Sequence, residues 1–381
     1  MQTLEDYRAE IDKIDSELLA QFEARLDVTQ KIAAYKAEHD LPIFDALREQ
    51  NKLDDVAMRV APEHSIYAKL LYRTLMELSK DNERKCLSLT SPLGAAVQEA
   101  LEQTPKLFPE RATVICQGVA GAYSQIACEK AFVSPMILYT EDFKGVFSAL
   151  ESGLCDYGIL PLENSTAGSV NAVYDLMMQY QFYIVKSMKI KIDHCLLAKQ
   201  GVKREEITEI FSHEQALSQC EQYLKTAFPN AKLTVCENTA AAAKAVANAD
   251  RTDVAAIASY HCGTLYGLSC LEKDVQDSGN NYTRFICISK NLQIYPGANR
   301  MSLMFVLPHK PGALYNVLSR LYSLNINILK LESRPIPQRD FQFMFYFDLE
   351  CSVYSDAFVR LMEQLDEVSD ELRYLGSYLE V

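Results

Sequence analysis

The first part of the chain has the apolar spacing of long helices. Residues 4–36 contain no proline or glycine, and large apolar side chains recur there every three or four positions, as on one face of a helix. Such a helix would be about 50 Å long. That length exceeds the width of a small domain, so we expect the helix to pack along a partner. Pro42 and Pro62 mark the ends of helical segments. The two helices predicted after the first one are 45–59 and 66–84.

The middle of the chain changes to alternating short β-rich runs and helical patterns. Residues 1–86, before this change, are predicted to be an all-helical domain. Residues 87–111 have weak periodicity and several prolines, so they are predicted to be a linker with a short helix. Over residues 112–291 the alternation favours an α/β domain with largely parallel strands. A second lobe is predicted from about residue 192, and two lobes with a cleft between them commonly hold a small ligand.

The last part of the chain, residues 299–381, has a third pattern. It predicts the element order βαββαβ, which is that of a ferredoxin-like α+β domain. The predicted strands are 302–307, 326–334, 341–350 and 372–379, and the predicted helices are 313–321 and 357–368.

Composition excludes several classes of function. The 381 residues carry a formal charge of −13, which argues against bulk nucleic-acid binding. No apolar run is long enough to span a bilayer, and the acidic start does not have the pattern of a signal peptide. The eleven cysteines never occur as Cys-x-x-Cys, so we expect neither a disulfide framework nor a metal site. A reducing cytoplasm fits this composition best.

Basic residues within the helical domain are the first chemical clue. Arg25 and Lys36 lie within about 20° of one helix face, whereas Arg8 is about 100° away from Arg25. Arg25 and Lys36 can therefore serve one pocket while Arg8 points towards another molecule. Each basic residue taken alone is more often part of a solvated face. Two further groups each share a helix face: Asp45, Arg48 and Glu49, and Ser79 with Glu83.

With Tyr7-Arg8-Ala9-Glu10-Ile11, Glu23-Ala24-Arg25 and Ile32-Ala33-Ala34-Tyr35-Lys36, this domain resembles the all-helical chorismate mutases. The resemblance implies an intertwined homodimer in which Arg8 reaches the neighbour's pocket, and it leaves open whether dimers pair into tetramers. The residues that it implies around the dicarboxylate substrate are Arg8, Arg25, Lys36, Asp45, Arg48, Glu49 and Ser79.

The rearrangement of chorismate to prephenate is unimolecular and needs neither nucleophile nor cofactor. The protein must hold the compact conformer and stabilise the negative charge that grows on the ether oxygen. Lys36 is the best-placed donor to the ether oxygen, and the resemblance implies that Glu83 is the second donor. A carboxyl group can donate to an anion only when it is protonated, so we predict that the mutase step favours acidic pH. The alternative is an exposed Glu83 near a helix end.

Three segments of the two-lobed part carry polar residues beside predicted strands. The turn Gly118–Ser124 follows a strand and precedes a helix, as anion-binding turns do, but it lacks the complete nucleotide-binding motifs. The segment Pro161–Gly168 places polar side chains directly after a strand, although Ser165 or Thr166 could also cap a following helix. The third segment, Asn280–Phe285, ends in a Thr-Arg pair that could also be mere surface.

Together with Asp193-His194-Cys195 and Ser212-His213-Glu214, these segments resemble prephenate dehydratase over about 112–290. The resemblance implies a two-lobed fold like that of periplasmic binding proteins, with Thr283 of Thr283-Arg284-Phe285 assisting the leaving hydroxyl. The residues that it implies for substrate binding are Ser124, Glu163, Asn164, Thr166 and Arg284. An unperturbed histidine side chain can act as an acid near neutral pH, which makes His213 a candidate, but we assign it a structural role.

The C-terminal part has two candidate ligand segments. Pro311-Gly312-Ala313-Leu314 lies between a strand and a helix, and Leu331-Glu332-Ser333-Arg334-Pro335 ends the next strand. Ordinary turn chemistry could explain both. On the βαββαβ pattern they resemble the ligand motifs of a phenylalanine-binding ACT domain. The site implied at a subunit interface contains Gly312, Ala313, Leu314, Glu332, Ser333 and Arg334.

The three resemblances belong to one pathway. They predict a bifunctional enzyme that converts chorismate to prephenate and prephenate to phenylpyruvate, without a cofactor, and that phenylalanine inhibits. One alternative is a dehydratase that prefers arogenate, which has an amino group in place of the keto group of prephenate. Another is a non-catalytic amino-acid sensor, because two-lobed folds and ACT domains both occur in binding proteins.

Overall fold

The computed structural model describes residues 3–39, 41, 45–87, 92–337, 339, 342–366 and 368–381. The chain divides into two compact units, Met1–Ser91 and Pro92–Val381. Pro42, predicted to end the first helical region, lies outside the described residues. None of the helices within the described ranges is long and apolar enough to cross a membrane.

The first unit is helical, as the sequence predicts. Its helices are α1 (Leu4–Glu38), α2 (Ala46–Met58) and α3 (Ser65–Leu87). Thr3 and Asp6 form a capping box at the start of α1, which satisfies backbone N–H groups that have no partner within the helix. α3 packs against α1 and α2. The first half of α1 is exposed on all sides, including its apolar positions.

The second unit contains two lobes and a C-terminal domain. Its helices are α4 (Pro92–Gln103), α5 (Tyr123–Ala131), α6 (Phe143–Ser152), α7 (Asn171–Met177), α8 (Glu214–Gln219), α9 (Glu221–Ala227), α10 (Thr239–Asn248), α11 (Tyr260–Tyr266), α12 (Ala313–Ser323) and α13 (Asp356–Asp366). Its strands are β1 (Thr113–Gln117), β2 (Met136–Thr140), β3 (Tyr157–Asn164), β4 (Gly168–Ser169), β5 (Tyr183–Lys191), β6 (Cys195–Ala198), β7 (Glu209–Ser212), β8 (Lys232–Val235), β9 (Val254–Ala258), β10 (Ser269–Glu272), β11 (Tyr282–Ser289), β12 (Arg300–Val306), β13 (Asn327–Pro335), β14 (Phe343–Glu350) and β15 (Glu371–Glu380).

Each lobe has a sheet that is parallel at one end and antiparallel at the other. In the first lobe β2, β1 and β3 are parallel, and β11 runs antiparallel between β3 and β5. In the second lobe β8, β7 and β9 are parallel, and β6 and β10 are antiparallel additions. The expectation of largely parallel strands thus holds for only part of each sheet. In the first lobe the difference arises because β11 returns from the second lobe and runs opposite to β3 and β5.

The C-terminal domain has the predicted βαββαβ order and continues the sheet of the first lobe. Its strands lie in the order β13-β14-β12-β15, and β15 pairs with β5 through Leu379 and Glu380. Gly376 in β15 has a φ of +125° and lies so close to the backbone of Ile184 that a Cβ atom would collide with it. Glycine is therefore required where the two sheets join.

The segment predicted as a linker contributes to a core. Val97 and Ala100 of α4 are buried in the same cluster as Leu303, Leu361 and other apolar residues of the C-terminal domain. Helix α4 also contacts α13. It therefore belongs to the C-terminal domain in space, although the two lobes separate them in sequence.

Candidate functional site

The hydroxyl group of Thr283 is oriented by a neighbouring amide. Thr283 in β11 lies opposite Asn164 in β3, and Asn164 Nδ2 donates to Thr283 Oγ1 over 2.9 Å. The backbone N–H groups of Thr166 and Ala167 donate to Asn164 Oδ1 over 3.0 and 2.9 Å. These N–H groups fix which end of the amide is the oxygen. Thr283 Oγ1 must therefore accept from Asn164, and its own proton is left for a further acceptor in the cleft.

The second lobe contacts this pair through Gln219, at the end of α8. Gln219 Nε2 donates to Thr166 Oγ1 over 2.9 Å, and Thr166 Oγ1 donates to Asn164 Oδ1 over 2.7 Å. Gln219 Oε1 accepts from Asn281 Nδ2 over 2.9 Å and lies 3.0 Å from His194 Nε2. Because that oxygen only accepts, His194 carries its proton on Nε2. Burial lowers the pKa of His194, which favours this neutral form.

The alternative in which Ser165 or Thr166 caps a helix is wrong. Helix α7 begins at Asn171, and its N-cap residue, Val170, makes no side-chain capping bond. Ser165 Oγ instead donates to the Asn280 carbonyl oxygen over 2.9 Å and accepts from the N–H of Tyr282 over 2.9 Å. The polar segments Pro161–Gly168 and Asn280–Phe285 are therefore bonded directly to each other.

The structure places Arg284 on the other face of β11. Successive side chains of a strand point to opposite faces, and Arg284 is buried with its guanidinium directed at the C-terminal domain. It donates to Ser187 Oγ over 2.9 Å, to Tyr378 Oη over 2.9 Å and to Asp348. The sequence predicted that Arg284 binds the substrate beside Thr283. This burial separates it from the Thr283 hydroxyl.

Glu163 lies on the same face of the sheet as Arg284. It lies opposite Arg284 in the β3–β11 ladder, and its Oε1 is 3.4 Å from Arg284 Nη1. Its Oε2 is 2.8 Å from Lys330 Nζ in β13. The carboxylate predicted to line the cleft thus connects a lobe strand with the C-terminal domain. Among the residues predicted to bind prephenate, Asn164 contacts the Thr283 hydroxyl directly, and Thr166 contacts Asn164.

The glycine turn before α5 contacts the second lobe. Tyr266 Oη donates to the carbonyl oxygen of Ala120 over 2.6 Å, and Cys262 Sγ donates to that of Gly121 over 3.2 Å. The N–H of Gly121 donates to Gln125 Oε1 over 2.7 Å. Ser124 is buried in the first turn of α5. This turn therefore bonds the first lobe to the second.

His213 has the role of a helix cap. It is the N-cap residue of α8, and its Nδ1 accepts from the N–H of Gln215 over 3.3 Å. The helix that it caps carries Gln219 at its other end. His213 is therefore placed where a structural histidine is expected.

The helical domain gathers several predicted residues between α1 and α3. Arg25 Nη1 donates to the Leu75 carbonyl oxygen over 2.8 Å and also to Ser79 Oγ. Lys36 Nζ pairs with Glu83 Oε2 over 2.9 Å. Glu83 is 6% exposed, so the alternative of an exposed residue at a helix end is wrong.

A further buried cation of the helical domain, Lys80, was not predicted. Lys80 in α3 is buried, and its Nζ lies 3.0 Å from Glu49 Oε1 and 2.8 Å from Glu77 Oε1. It therefore ties Glu49 of α2 to α3. The sequence offers no signal for Lys80 beyond its place one residue after Ser79.

Three predicted residues lie outside this cluster. Arg8 is exposed near Glu5, at 3.8 Å, and Arg48 is exposed on α2. Asp45 is the N-cap residue of α2, where its Oδ1 accepts from the N–H of Arg48 over 3.0 Å. Within one chain, therefore, Asp45 stabilises a helix start.

The first ligand segment of the C-terminal domain borders a pocket. Gly312 has a φ of +86° and lets the chain turn into α12. Ala313 and Leu314 then line a cavity of about 160 Å³ together with Leu307, Phe343, Phe345 and neighbouring residues. The pocket is mainly apolar, with the backbone of a helix start at its edge.

The second ligand segment contacts the first lobe instead. Ser169 Oγ donates to Glu332 Oε2 over 2.6 Å, and Arg334 donates to both carboxylate oxygens of Asp175 over 3.0 and 2.9 Å. Ser333 lies between them on the exposed face of β13. The alternation of the strand thus separates Ser333 from Glu332 and Arg334.

Comparison with known proteins identifies the families of the helical domain and of the two-lobed domain. A family model of prephenate dehydratase matches residues 114–293, and one of chorismate mutase type II matches residues 7–84. The bifunctional chorismate mutase/prephenate dehydratase of Escherichia coli (strain K12) is 29% identical over 380 residues, which are 97% of this chain and 95% of that protein. The chloroplastic arogenate dehydratase/prephenate dehydratase 2 of Arabidopsis thaliana is 38% identical over 280 residues, 70% of this chain and 73% of that protein.

Solved structures agree with the two-lobed fold and the C-terminal domain. The prephenate dehydratase of Arthrobacter aurescens in complex with L-Phe is 27% identical, with a TM-score of 0.64 over 70% of this chain and 89% of that one. A structure described as a novel type of quorum quenching acylase is 28% identical, with a TM-score of 0.65 over 71% of this chain and 98% of that one. The chain therefore belongs to the prephenate dehydratase family and carries a type II chorismate mutase domain before the dehydratase domain.

Proposed function

We propose that this enzyme converts chorismate to prephenate and prephenate to phenylpyruvate, and that phenylalanine inhibits it. The observation that carries the second step is the Thr283 hydroxyl, held as a donor by Asn164 where the two lobes meet. The first step is assigned to the cluster of Arg25, Lys36 and Glu83 in the mutase domain.

The dehydratase step needs a donor where a hydroxyl group leaves. Prephenate loses carbon dioxide, and the electron pair of the broken C–C bond enters the ring. The ring becomes aromatic as the C–O bond breaks and the hydroxyl departs with its pair. Thr283 donates a hydrogen bond to that departing oxygen, which stabilises the charge growing on it. The hydrogen bonds that link Asn164, Thr166 and Gln219 keep the Thr283 proton directed away from Asn164 and available to the substrate.

The mutase step needs orientation and one positive charge at the ether oxygen. Arg25 and Lys36 supply cations for the carboxylates and for that oxygen, and both are held by contacts with α3. Electrostatic stabilisation of this kind is effective because the groups are fixed before the reaction.

The pairing of domains favours prephenate over arogenate as the substrate. The mutase domain produces prephenate on the same chain, so no amino-group transfer has to precede the second step. The arogenate alternative has the support of the plant relative, whose name includes both substrates.

The test is a coupled assay on the full chain. Purified protein receives chorismate, and chorismate loss and phenylpyruvate formation are followed with and without phenylalanine. Prephenate and arogenate are then compared directly as substrates. We expect both products from chorismate, inhibition by phenylalanine, and faster turnover of prephenate. Binding of phenylalanine without turnover of any substrate would support the sensor alternative.

The phenylalanine site is proposed at the start of α12. Leu314, Phe343 and Phe345 offer an apolar surface for a benzyl ring, and the turn at Gly312 lets backbone groups approach the ligand. The cavity at this position has a volume of about 160 Å³. Inhibition requires that phenylalanine bind two states of the enzyme with different affinity.

We also propose that α1 pairs with α1 of a second copy to form a homodimer. Apolar residues at helical spacing stay exposed along its first half, among them Ile11, Ile14 and Leu18 at 56%, 55% and 57%. Monomeric proteins seldom expose so continuous an apolar stripe. Arg8 lies on this half of α1, which supports its predicted reach into the partner's pocket. Pairing of dimers into tetramers stays a prediction.

Replacing Ile14 and Leu18 together with aspartate is expected to yield monomers. The charges would face each other across the paired helices, and mutase turnover would fall because Arg8 could no longer act in a second copy. Light scattering after size exclusion gives the molar mass. Met58→Asp, at another exposed apolar position of this domain, serves as the control. A double variant that remains dimeric would argue against pairing through α1.

A further inference from the structure

We propose that Asp348 of the C-terminal domain is a positioning residue for the dehydratase step, acting through Arg284 on Thr283. The inference rests on the proposed dehydratase activity. It assigns to the regulatory domain a side chain on which the geometry of the catalytic hydroxyl depends.

Asp348 is a fully buried carboxylate in β14. It accepts hydrogen bonds from Tyr346 Oη over 2.6 Å and from Tyr378 Oη over 3.2 Å, and also from Ser302. Its cationic partner is Arg284. A charge in such surroundings is stable only with good hydrogen bonds and an opposite charge. Asp348 and Arg284 therefore hold each other in one arrangement across the boundary between the two domains.

Arg284 adjoins Thr283 at an irregular point of the β3–β11 ladder. Thr283 faces Asn164 and Arg284 faces Glu163, but Phe285 faces Pro161 because the register shifts between Arg284 and Phe285. Such a bulge interrupts the ladder and re-aims nearby side chains. Backbone pairing alone fixes this stretch less firmly than a regular ladder. The contacts of Arg284 anchor the strand on one face, and Thr283 lies on the other.

Strand β14 also connects Asp348 with the phenylalanine pocket. Phe343 and Phe345 line the pocket, and Asp348 follows Phe345 by three residues, which places it on the opposite face of the strand. A ligand that displaces β14 moves Asp348 relative to Arg284. The same ion pair thus provides a route for inhibition from the pocket to Thr283.

The first test is Asp348→Asn in the full chain, which removes one charge and nearly preserves the shape. Loss of one charge-assisted hydrogen bond predicts a fall of about 10- to 100-fold in dehydratase kcat, with KM for prephenate and mutase turnover unchanged. Phenylalanine should still bind, as measured by calorimetry, but the concentration for half inhibition should rise about tenfold. A merely structural role would not separate binding of phenylalanine from inhibition.

Tyr378→Phe provides a milder second variant. It keeps the ring and removes one hydrogen bond to Arg284 and one to Asp348, so we expect the same changes at smaller size even if Asp348→Asn does not fold. The control is Arg373→Met. Arg373 donates to carbonyl oxygens of Met177, Met178 and Tyr180 across the same domain boundary, away from Arg284.

The control should lose stability but keep dehydratase kcat and inhibition. Wild-type kcat and inhibition in both test variants would overturn the proposal. An equal loss in Arg373→Met would also overturn it, because general loosening of the domain boundary would then explain the effect. If the wild type fails to turn over prephenate, the proposed function itself is wrong, which the variants are not needed to show.

Discussion

Replacing Thr283 with alanine is expected to lower dehydratase kcat by about 100- to 10,000-fold, the range for loss of a positioned proton donor. The hydroxyl is the donor that Asn164 orients towards the cleft, and alanine cannot replace it. Mutase turnover should be unchanged because Thr283 belongs to the second unit. The measurement is the steady-state rate of phenylpyruvate formation from prephenate. With chorismate as the substrate, the variant should accumulate prephenate.

Two matched variants separate the hydroxyl from the space that it fills. Thr283→Ser keeps the donor and should retain most of the activity. Thr283→Val keeps the shape, lacks the hydroxyl and should lose as much as alanine. Substantial activity in the valine variant would mean that another group assists the leaving hydroxyl, and Thr283 would then be a packing residue next to Asn164.

Local patterns predicted the elements well because local forces set them. The proline-free repeat at the start of the chain gave α1 nearly its full length, and the period-two runs near the end gave the βαββαβ order. Segment α4 was assigned poorly for the converse reason. Its partners, Leu303 and Leu361, are distant in sequence, so no local pattern could join it to the C-terminal domain.

The residues of the candidate site also divide into those that local patterns predicted and those that depend on distant contacts. Thr283, Asn164 and Thr166 were predicted and lie together. Gln219 was missed because a single glutamine in a short helix has no local signal, and only the approach of the second lobe gives it a role. Its partners show that the hydroxyl of Thr283 is oriented by both lobes.

The placement of Arg284 was predictable from elementary strand geometry. Neighbours in a strand point to opposite faces, so Thr283 and Arg284 could not both face the cleft. The same rule applies to Glu332 and Ser333 in β13. Asp45 carried the signal of an N-cap residue before α2. In each case an implied substrate role obscured what the local backbone required.

Replacing Lys36 with methionine is expected to lower mutase kcat by about 100- to 1000-fold, as for loss of one fixed donor to a developing oxyanion. Methionine keeps the length of the side chain and removes its charge. Lys36 is held by Glu83 at 2.9 Å, so its position depends on the fold as well as on the ligand. The rate of chorismate loss measures the effect, and turnover of added prephenate should be unchanged.

Lys52→Met is the matched control within the same domain, because Lys52 pairs with Asp55 at 3.2 Å on an exposed face of α2. We expect it to keep wild-type mutase turnover. Glu83→Gln, which keeps a hydrogen-bond partner for Lys36 but removes the carboxyl group, should flatten the acidic preference predicted for this step. If Lys36→Met kept mutase activity within a few-fold of wild type, the Lys36–Glu83 pair would be only a structural contact between helices. The donor to the ether oxygen would then have to be sought in Arg25, or in Arg8 of a second copy.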